Sequence, residues 1–208
     1  MFAGTASRFY PIVDADICRG RSLDPREVAA ACFRAGARLL QLRVKSGSSA
    51  DFLALATGVV GEAAQFGATV IVNDRADIAR MSGAGGVHVG QEDLTPAQVR
   101  AVAGHTVVGL STHDPAQVTA GLASGADYLA VGPIFGTATK DTGCEARGLG
   151  LVEYAAGRGK PIVAIGGITL ERASSVIAAG AASVAVITDL LTGADPETRA
   201  RDYLHLLA

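Results

Sequence analysis

A turn rich in glycine, threonine and lysine directly follows an apolar run of the chain, Tyr128–Ile134. The turn carries Gly136, Thr137, Thr139 and Lys140. Two hydroxyl groups, the backbone N–H groups near the glycine and one ammonium can surround an anion from several sides. A buried strand needs no such turn, so the pattern predicts a phosphate-binding site at the end of this run.

Cations and carboxylates elsewhere in the chain suit a diphosphate and a metal ion. Arg43 and Lys45 alternate with apolar residues, and Lys140 adds a third cation. Asp74 and Asp93 closely follow two further apolar runs and could share Mg²⁺, which takes one or two carboxylates together with phosphate oxygens and water. These residues predict electrostatic stabilisation of a departing diphosphate, a chemistry that needs no protein nucleophile.

A second anion site is predicted at a pair of glycines, Gly166 and Gly167. The pair precedes Ile168-Thr169, which opens a predicted helix, so backbone N–H groups at a helix N-terminus can receive a phosphate. Ile187 and Thr188 end the next apolar run and are expected beside this turn. Two separate anion sites predict two phosphorylated substrates, one of which carries a diphosphate.

Eight short β-rich runs recur along the chain, and segments with helical spacing of apolar residues lie between them. The predicted strands are Arg8–Val13, Arg38–Val44, Thr69–Asn73, Gly86–Val89, Val107–Ser111, Tyr128–Ile134, Ile162–Ile165 and Ser183–Ile187. The clearest predicted helices are Asp24–Ala35, Ala50–Gln65, Pro96–Val102, Pro115–Leu122 and Leu170–Ala179. Eight strand–helix units favour a (β/α)8 TIM barrel over an open doubly wound sheet, and no Gly-x-Gly-x-x-Gly follows the first strand. We expect residues 1–208 to form a single domain.

In such a barrel the active site lies at the C-terminal ends of the strands. Period-two alternation places Gln41, Arg43 and Lys45 on one face of their strand, and Leu42 and Val44 on the other. Six consecutive predicted strands end in polar, charged or glycine residues, among them Gln41, Asn73, Asp93, Ser111, Lys140 and Gly166. Solvation alone would scatter such residues over both ends of the barrel, so the pattern predicts an active site.

The composition excludes several other classes of protein. The 208 residues carry a net charge of −2 and the sequence pI is about 6.1, which argues against electrostatic binding to nucleic acid or to a membrane. The three cysteines are far apart and odd in number, so neither a metal motif nor a disulfide framework is expected. The sequence shows no secretory signal and no apolar run of membrane-spanning length, so we expect a cytoplasmic protein.

Six segments, in chain order, resemble motifs of the thiamine phosphate synthase family. They are Gln41-Leu42-Arg43-x-Lys45, Val72–Arg75, Gly86–Leu94, Gly109–His113, Gly132–Lys140 and Ala164–Ile168. The resemblance implies a Mg²⁺-dependent transferase that moves an aminopyrimidinylmethyl group from its diphosphate to a thiazole phosphate. Loss of diphosphate would leave a pyrimidinylmethyl cation, which the thiazole nitrogen attacks.

The resemblance also implies a role for individual residues. The aminopyrimidine diphosphate would be bound by Gln41, Arg43, Lys45, Asn73, Ser111 and Lys140, of which Arg43, Lys45, Ser111 and Lys140 would be catalytic. Its Mg²⁺ would be held by Asp74 and Asp93. The thiazole phosphate would be bound by Thr137, Thr139, Gly166, Gly167, Ile187 and Thr188. The implied partners are these two small molecules, with a homo-oligomer as a further possibility.

Two other functions remain open from the sequence. The turn Asp141–Gly148, together with His113, resembles the sister family of thiazole tautomerases, which would need no metal. A non-catalytic barrel that binds a pathway phosphate is the other alternative. Two positions depart from the synthase pattern, with Val44 in place of glutamate and Thr188 in place of serine. We expect Val44 to face the helices and His88, between two valines, to be a structural histidine of the core or rim.

Overall fold

The computed structural model of the protein describes residues 7–136, 146–193 and 195–208. Within these ranges eight parallel strands pair in chain order, and the last pairs with the first to close a barrel. The strands are β1 (Phe9–Asp14), β2 (Leu39–Arg43), β3 (Thr69–Asn73), β4 (Gly86–Val89), β5 (Val107–Thr112), β6 (Tyr128–Val131), β7 (Ile162–Ile165) and β8 (Ser183–Val186). The (β/α)8 barrel predicted from the sequence is therefore confirmed.

Helices follow the strands and cover the outside of the barrel. They are α1 (Ala15–Gly20), α2 (Pro25–Ala35), α3 (Ser49–Gln65), α4 (Ala76–Ser82), α5 (Pro96–Ala103), α6 (Pro115–Ala123), α7 (Leu149–Ala155), α8 (Leu170–Ala178) and α9 (Pro196–Leu206), with a 3₁₀ turn at Thr188–Leu191. Local signals set several starts, since Asp24, Thr95 and Asp114 each cap a helix whose first residue is proline. None of the helices in the described ranges is long and apolar enough to cross a membrane.

The buried side chains form two separate layers. An outer layer between strands and helices includes Leu40 and Leu42 of β2, whereas Leu39 of the same strand belongs to a smaller cluster inside the barrel. This alternation is what a parallel strand covered on both sides requires. Val44 packs against the outer layer, on the side of the helices, as its position in the alternation predicts.

The sequence pattern makes three strands too long at their C-terminal ends. It extends β2 to Val44, β6 to Ile134 and β8 to Ile187, but these residues lie outside the sheet. Beyond β6, Pro133 has no N–H group to donate to a neighbouring strand. Beyond β2, the N–H of Lys45 bonds to a carboxylate and not to the sheet. The other predicted ends are within one residue of the observed ones.

The sequence pattern gives no bounds for three short helices, α1, α4 and α7. They contain only six or seven residues each. Fewer than two turns give the apolar spacing too little length to show a helical period. The bounds of these helices are therefore visible only in the structure.

A glycine in β5 makes room for a large side chain inside the barrel. Gly109 pairs in register with Tyr128 of β6. A Cβ atom at Gly109 would lie 2.0 Å from Cζ of the Tyr128 ring. Since Tyr128 is fully buried, the ring has no space into which it can retreat. The absence of a side chain at position 109 thus fixes the place of the tyrosine.

We predict that Gly109→Ala lowers the free energy of unfolding by about 1–3 kcal/mol, because the added methyl overpacks the barrel interior. Gly61→Ala is the matched control, because the same methyl meets no atom within 4 Å at that position of α3. The control should raise stability by about 0.5–1 kcal/mol, since alanine favours a helix interior. Chemical denaturation measures both values. A Gly109→Ala protein as stable as the wild type would contradict the packing described here.

Candidate active site

A cavity of about 600 Å³ lies at the C-terminal ends of the strands. This volume suits a small-molecule ligand. Eight residues that the sequence assigns to substrate binding line it together: Gln41, Arg43, Asn73, Ser111, Gly166, Gly167, Ile187 and Thr188. Parallel strands bring together residues that are up to about 150 positions apart, because all their C-terminal ends point to the same mouth.

Arg43, at the end of β2, is held by a buried carboxylate of the neighbouring strand. Its guanidinium donates to Oδ2 of Asp14, whose side chain is only 1% exposed. The other oxygen, Oδ1, accepts the N–H groups of Asp16 and Ile17 at 3.1 Å each and so caps α1. The carboxylate therefore fixes Arg43 against the cavity wall. Asp14 is not among the site residues predicted from the sequence, although an acidic residue directly before a helix is a recognisable cap signal.

Lys45 lies in the loop after β2, and a second aspartate shapes this loop. Oδ2 of Asp16 accepts the N–H of Lys45 at 2.8 Å and that of Ser46 at 3.2 Å. The Ser46 hydroxyl donates to the other oxygen of the same carboxylate. The sequence predicts that strand alternation places Lys45 on the same face as Arg43. This is wrong, because β2 ends at Arg43 and a loop positions the lysine. Lys45 is absent from the cavity lining and is about half exposed at the rim.

Two carboxylates predicted to hold a metal ion lie near this lysine. Nζ of Lys45 donates to Oδ2 of Asp74 at 2.5 Å, and Asp74 has a left-handed backbone with φ of 63°. Burial raises the pKa of Asp74, the negative charge of nearby Asp93 raises it further, and the Lys45 ammonium works in the opposite direction. Asp93 in turn accepts the N–H of Gly90 at 2.7 Å. A pair of adjacent carboxylates, in which the charge of one disfavours ionisation of Asp74, is suitable for binding a hard divalent cation.

The number of acidic ligands at this place also suits Mg²⁺. A site of two carboxylates leaves the other ligand positions to substrate oxygens and water, as Mg²⁺ sites commonly do. The donor set of Asp74 and Asp93 therefore fits the metal that the sequence predicts.

Five polar side chains form a chain of hydrogen bonds across the floor of the cavity. Nε2 of Gln41 donates to Oη of Tyr10 at 3.2 Å, and this oxygen lies 3.1 Å from Oη of Tyr128. Nδ1 of His88 lies 2.9 Å from the same Tyr128 oxygen, and Nε2 of His88 lies 2.8 Å from Oγ of Ser111. His88 is a buried, hydrogen-bonded histidine, as expected, but it also lines the cavity. Tyr10 and Tyr128 were missed because a tyrosine in an apolar strand looks like any core residue.

The two glycines after β7 form the opposite wall. Gly166 and Gly167 have positive φ angles of 102° and 61°. A Cβ atom at Gly167 would lie 2.5 Å from the carbonyl oxygen of Gly136, so the two loops approach too closely for any side chain. Arg172 of α8 donates to the carbonyl of Gly167 at 3.0 Å and stacks over the ring of Phe135 at 4.7 Å. Arg172 lines the cavity and is an additional cation that the sequence motifs do not predict.

Three of the remaining predicted site residues lie outside the part of the chain that the structure describes, whereas His113 lies within it. Thr137, Thr139 and Lys140 lie outside the described residues, as does most of the turn that resembles the tautomerase family. His113 lines the cavity, and its Nδ1 lies 2.6 Å from the carbonyl oxygen of Gly132. Because a carbonyl only accepts, this nitrogen carries the proton.

Comparisons of the sequence with known proteins agree with one another. A family model described as thiamine monophosphate synthase matches residues 9–190. A thiamine-phosphate synthase of Koribacter versatilis is 44% identical over 205 residues, which are 96% of this chain and 95% of that protein. A thiamine-phosphate synthase of Mycobacterium tuberculosis is 40% identical over 208 residues, with 94% and 92% of the two chains covered.

Solved structures of proteins with different activities match the same fold. A thiamine phosphate pyrophosphorylase from Pyrococcus furiosus matches with a TM-score of 0.87 at 22% identity, over 96% of this chain and 95% of that one. An orotidine 5'-phosphate decarboxylase from Pyrococcus horikoshii matches with a TM-score of 0.66 at 15% identity, over 96% and 99% of the two chains. At these identities the likeness shows the barrel fold, which hosts many unrelated chemistries.

The hydrogen bonds to Asp16 generate a prediction about the loop that carries Lys45. Burial raises the pKa of Asp16, but the bonds from Ser46 and from the Lys45 N–H outweigh it, so the net pKa is lowered. Protection of the Lys45 and Ser46 amides from hydrogen exchange should therefore persist below the ordinary aspartate pKa of about 4. It should be lost only as the pH falls through the lowered value, after correction for the intrinsic exchange rate at each pH.

At neutral pH, Asp16→Ala should speed exchange of these two amides roughly tenfold, because they lose charge-assisted hydrogen bonds. Asp114→Ala is the control, since it removes a cap at α6 and touches neither amide. Unchanged protection in the Asp16 variant would show that the carboxylate does not hold the loop.

Proposed function

Since this chain belongs to the thiamine monophosphate synthase family, we propose that its cavity joins an aminopyrimidine diphosphate to a thiazole phosphate. The products are thiamine phosphate and diphosphate. Members of the family are transferases, and the resemblance of the six sequence segments to this family is confirmed. The observation that carries the proposal is a cavity lined by both Arg43 and the Gly166-Gly167 turn. Lys45, Asp74 and Asp93 lie close together in the loops that follow β2, β3 and β4, outside the residues that line this cavity.

The diphosphate side is proposed at the ends of β2, β3 and β5. Gln41, Arg43, Asn73 and Ser111 line this side, and they offer amides, a guanidinium and a hydroxyl to the substrate. Arg43 can bind two phosphate oxygens at once through its planar fork of donors. Lys45 at the rim provides a second cation, and we propose Lys140 as a third from its place in the sequence alone. These cations balance charge that grows as the diphosphate leaves.

We propose that Asp74 and Asp93 bind Mg²⁺ together with the diphosphate. When bound, this ion neutralises charge on the leaving group. Asp74 accepts a hydrogen bond from the Lys45 ammonium and lies beside Asp93, so the ammonium is oriented by one of the two residues that would hold the ion. These protein groups do not react themselves; they bind, orient and stabilise the departing group.

Bond making and breaking follow from the layout of the two sites. The bond between the pyrimidine methylene carbon and the diphosphate oxygen breaks, and the electron pair leaves with the oxygen. The thiazole nitrogen then donates its lone pair to the carbon. Ala130, Val163 and Ala185 line the cavity interior with aliphatic groups, so this part of the wall offers the cation no competing nucleophile.

The thiazole phosphate is proposed at the opposite wall. Gly166, Gly167, Ile187 and Thr188 line the cavity there and provide backbone donors and one hydroxyl. We propose Thr137 and Thr139 as further ligands from the sequence. Arg172 adds a positive charge on the same side, which favours a phosphate in this position.

An assay with both substrates tests the function. The purified protein is incubated with the aminopyrimidine diphosphate and the thiazole phosphate, with and without Mg²⁺, and diphosphate and thiamine phosphate are quantified. Equal amounts of both products, formed only with the metal, are expected. Isomerisation of the thiazole phosphate without diphosphate release would instead identify a tautomerase, and binding without turnover a non-catalytic barrel.

Asp93→Asn should abolish thiamine phosphate formation, because one of the two proposed metal ligands loses its charge. The melting temperature should stay close to that of the wild type, since this carboxylate lies at the rim and outside the core. Asp77→Asn is the matched control, because Asp77 is half exposed and pairs with Arg75, so it takes no part in the proposed metal site. Full activity of the Asp93 variant, or of wild-type protein treated with EDTA, would refute the metal site.

Three expectations reach beyond the family assignment and stay predictions. They are the dependence on Mg²⁺, a cytoplasmic location and a possible homo-oligomer. Metal analysis of the protein mixed with inorganic diphosphate tests the first, and cell fractionation tests the second. Light scattering coupled to size-exclusion chromatography gives the molar mass, which decides the third.

A further inference from the structure

The hydrogen-bonded chain in the cavity floor connects five strands of the barrel. Its members are Gln41 (β2), Tyr10 (β1), Tyr128 (β6), His88 (β4) and Ser111 (β5). The four residues from Gln41 to His88 are each at most 7% exposed. Ser111 is half-buried and lines the cavity, so it is the member through which the chain meets a ligand. A buried polar chain of this length needs each hydrogen to have an acceptor.

Both phenols keep their hydrogens at physiological pH. Burial raises the pKa of Tyr10 and that of Tyr128 well above the ordinary tyrosine value. Each tyrosine therefore contributes one O–H donor and one acceptor oxygen to the chain. The direction of the whole chain then depends on its first donor.

Gln41 sets that direction at the end farthest from Ser111. Its side-chain nitrogen donates to Tyr10, so the Tyr10 hydroxyl passes its own hydrogen to Tyr128. Tyr128 in turn donates to Nδ1 of His88, which leaves the imidazole proton on Nε2. Nε2–H then donates to Oγ of Ser111, and the serine hydrogen is left for a group in the cavity.

The opposite direction leaves one hydrogen without an acceptor. If Ser111 donated to His88, and His88 and Tyr128 passed the direction on, then Tyr10 would accept from both of its neighbours. In the described part of the chain, Gln41 and Tyr128 are the hydrogen-bond partners of the Tyr10 hydroxyl. Its own hydrogen would then be buried without an acceptor, which disfavours this direction of the chain.

We propose that His88, oriented by the two tyrosines behind it, is a positioning residue that directs the Ser111 hydroxyl hydrogen onto an oxygen of the bound diphosphate. This inference rests on the proposed function, because it takes the diphosphate as the ligand at that wall. A hydroxyl that already accepts a hydrogen bond from an imidazole has a fixed direction for its own hydrogen. It therefore loses little rotational freedom when the diphosphate binds. His88 acts through Ser111 and not by contact with the reacting atoms.

The tautomer of His88 tests the proposal without any assay of activity. Nitrogen-15 chemical shifts of the imidazole distinguish a proton on Nε2 from one on Nδ1. We expect the Nε2–H tautomer in the wild-type protein and a mixture of tautomers in Tyr128→Phe, which removes the hydroxyl that fixes Nδ1 as acceptor. A wild-type imidazole protonated mainly on Nδ1, or on both nitrogens, would overturn the proposal.

Kinetics of paired variants test the functional part. His88→Gln can present an amide N–H near the former Nε2, whereas the shorter His88→Asn cannot reach Ser111. We expect the Asn variant to lose roughly 10- to 100-fold in kcat/KM and the Gln variant to keep most of the activity. A loss of this size corresponds to one charge-assisted hydrogen bond, here the bond from Ser111 to the diphosphate. On a Ser111→Ala background the same His88→Asn change should cost no more than about twofold, because the residue through which it acts is gone.

Thr112→Val separates this effect from a loss of stability. Thr112 is fully buried on the same strand as Ser111, and its hydroxyl donates to the carbonyl of Ala130 at 3.1 Å. The variant should lower the melting temperature and leave kcat/KM unchanged. Equal losses for His88→Asn with and without Ser111 would overturn the proposal. A wild-type protein without synthase activity would refute the proposed function instead, and the tautomer measurement would then decide the hydrogen-bonded chain by itself.

Discussion

Closure of the parallel barrel is the constraint on which the rest of the structure depends. Eight strands that all run in one direction must end at one mouth, and the last must pair with the first. Residues from Gln41 to Thr188 therefore line a single cavity of about 600 Å³, although most of the chain separates them. The helices contribute mainly by covering the apolar outer faces of the strands, which leaves the mouth free for chemistry.

Charges near this mouth are held by other charges of the protein. Asp14 is almost fully buried beneath Arg43, and Asp74 bonds to Lys45. A buried carboxylate is stable only with partners, and Asp14 has three, since it also receives two N–H groups of α1. The interaction that fixes the guanidinium thus also starts a helix, so one residue connects the local fold with the chemistry of the cavity.

The barrel interior differs in kind from the layer outside the strands. The outer layer is mainly apolar, whereas the interior combines aliphatic side chains with a polar chain from Gln41 to Ser111. Gly109 makes this arrangement possible, because the Tyr128 ring occupies the space that a side chain at position 109 would fill. Packing and hydrogen bonding therefore act on the same ring, which gives the cavity a rigid floor.

The sequence by itself determined the strands, the capped helices and the kinds of residue at the strand ends, because these depend on neighbours a few positions apart. Proline after Asp24 or Asp114 and alternation through Leu40 and Leu42 are signals of this local kind. The tertiary structure alone decided the pairing of Asp14 with Arg43, the loop that carries Lys45, and the link from His88 to Ser111. The Asp14–Arg43 and His88–Ser111 contacts each join residues more than 20 positions apart. The Lys45 loop begins where the apolar pattern of the strand continues but the hydrogen bonds of the sheet do not. Such contacts depend on barrel register and on competition for N–H groups, which no local pattern records.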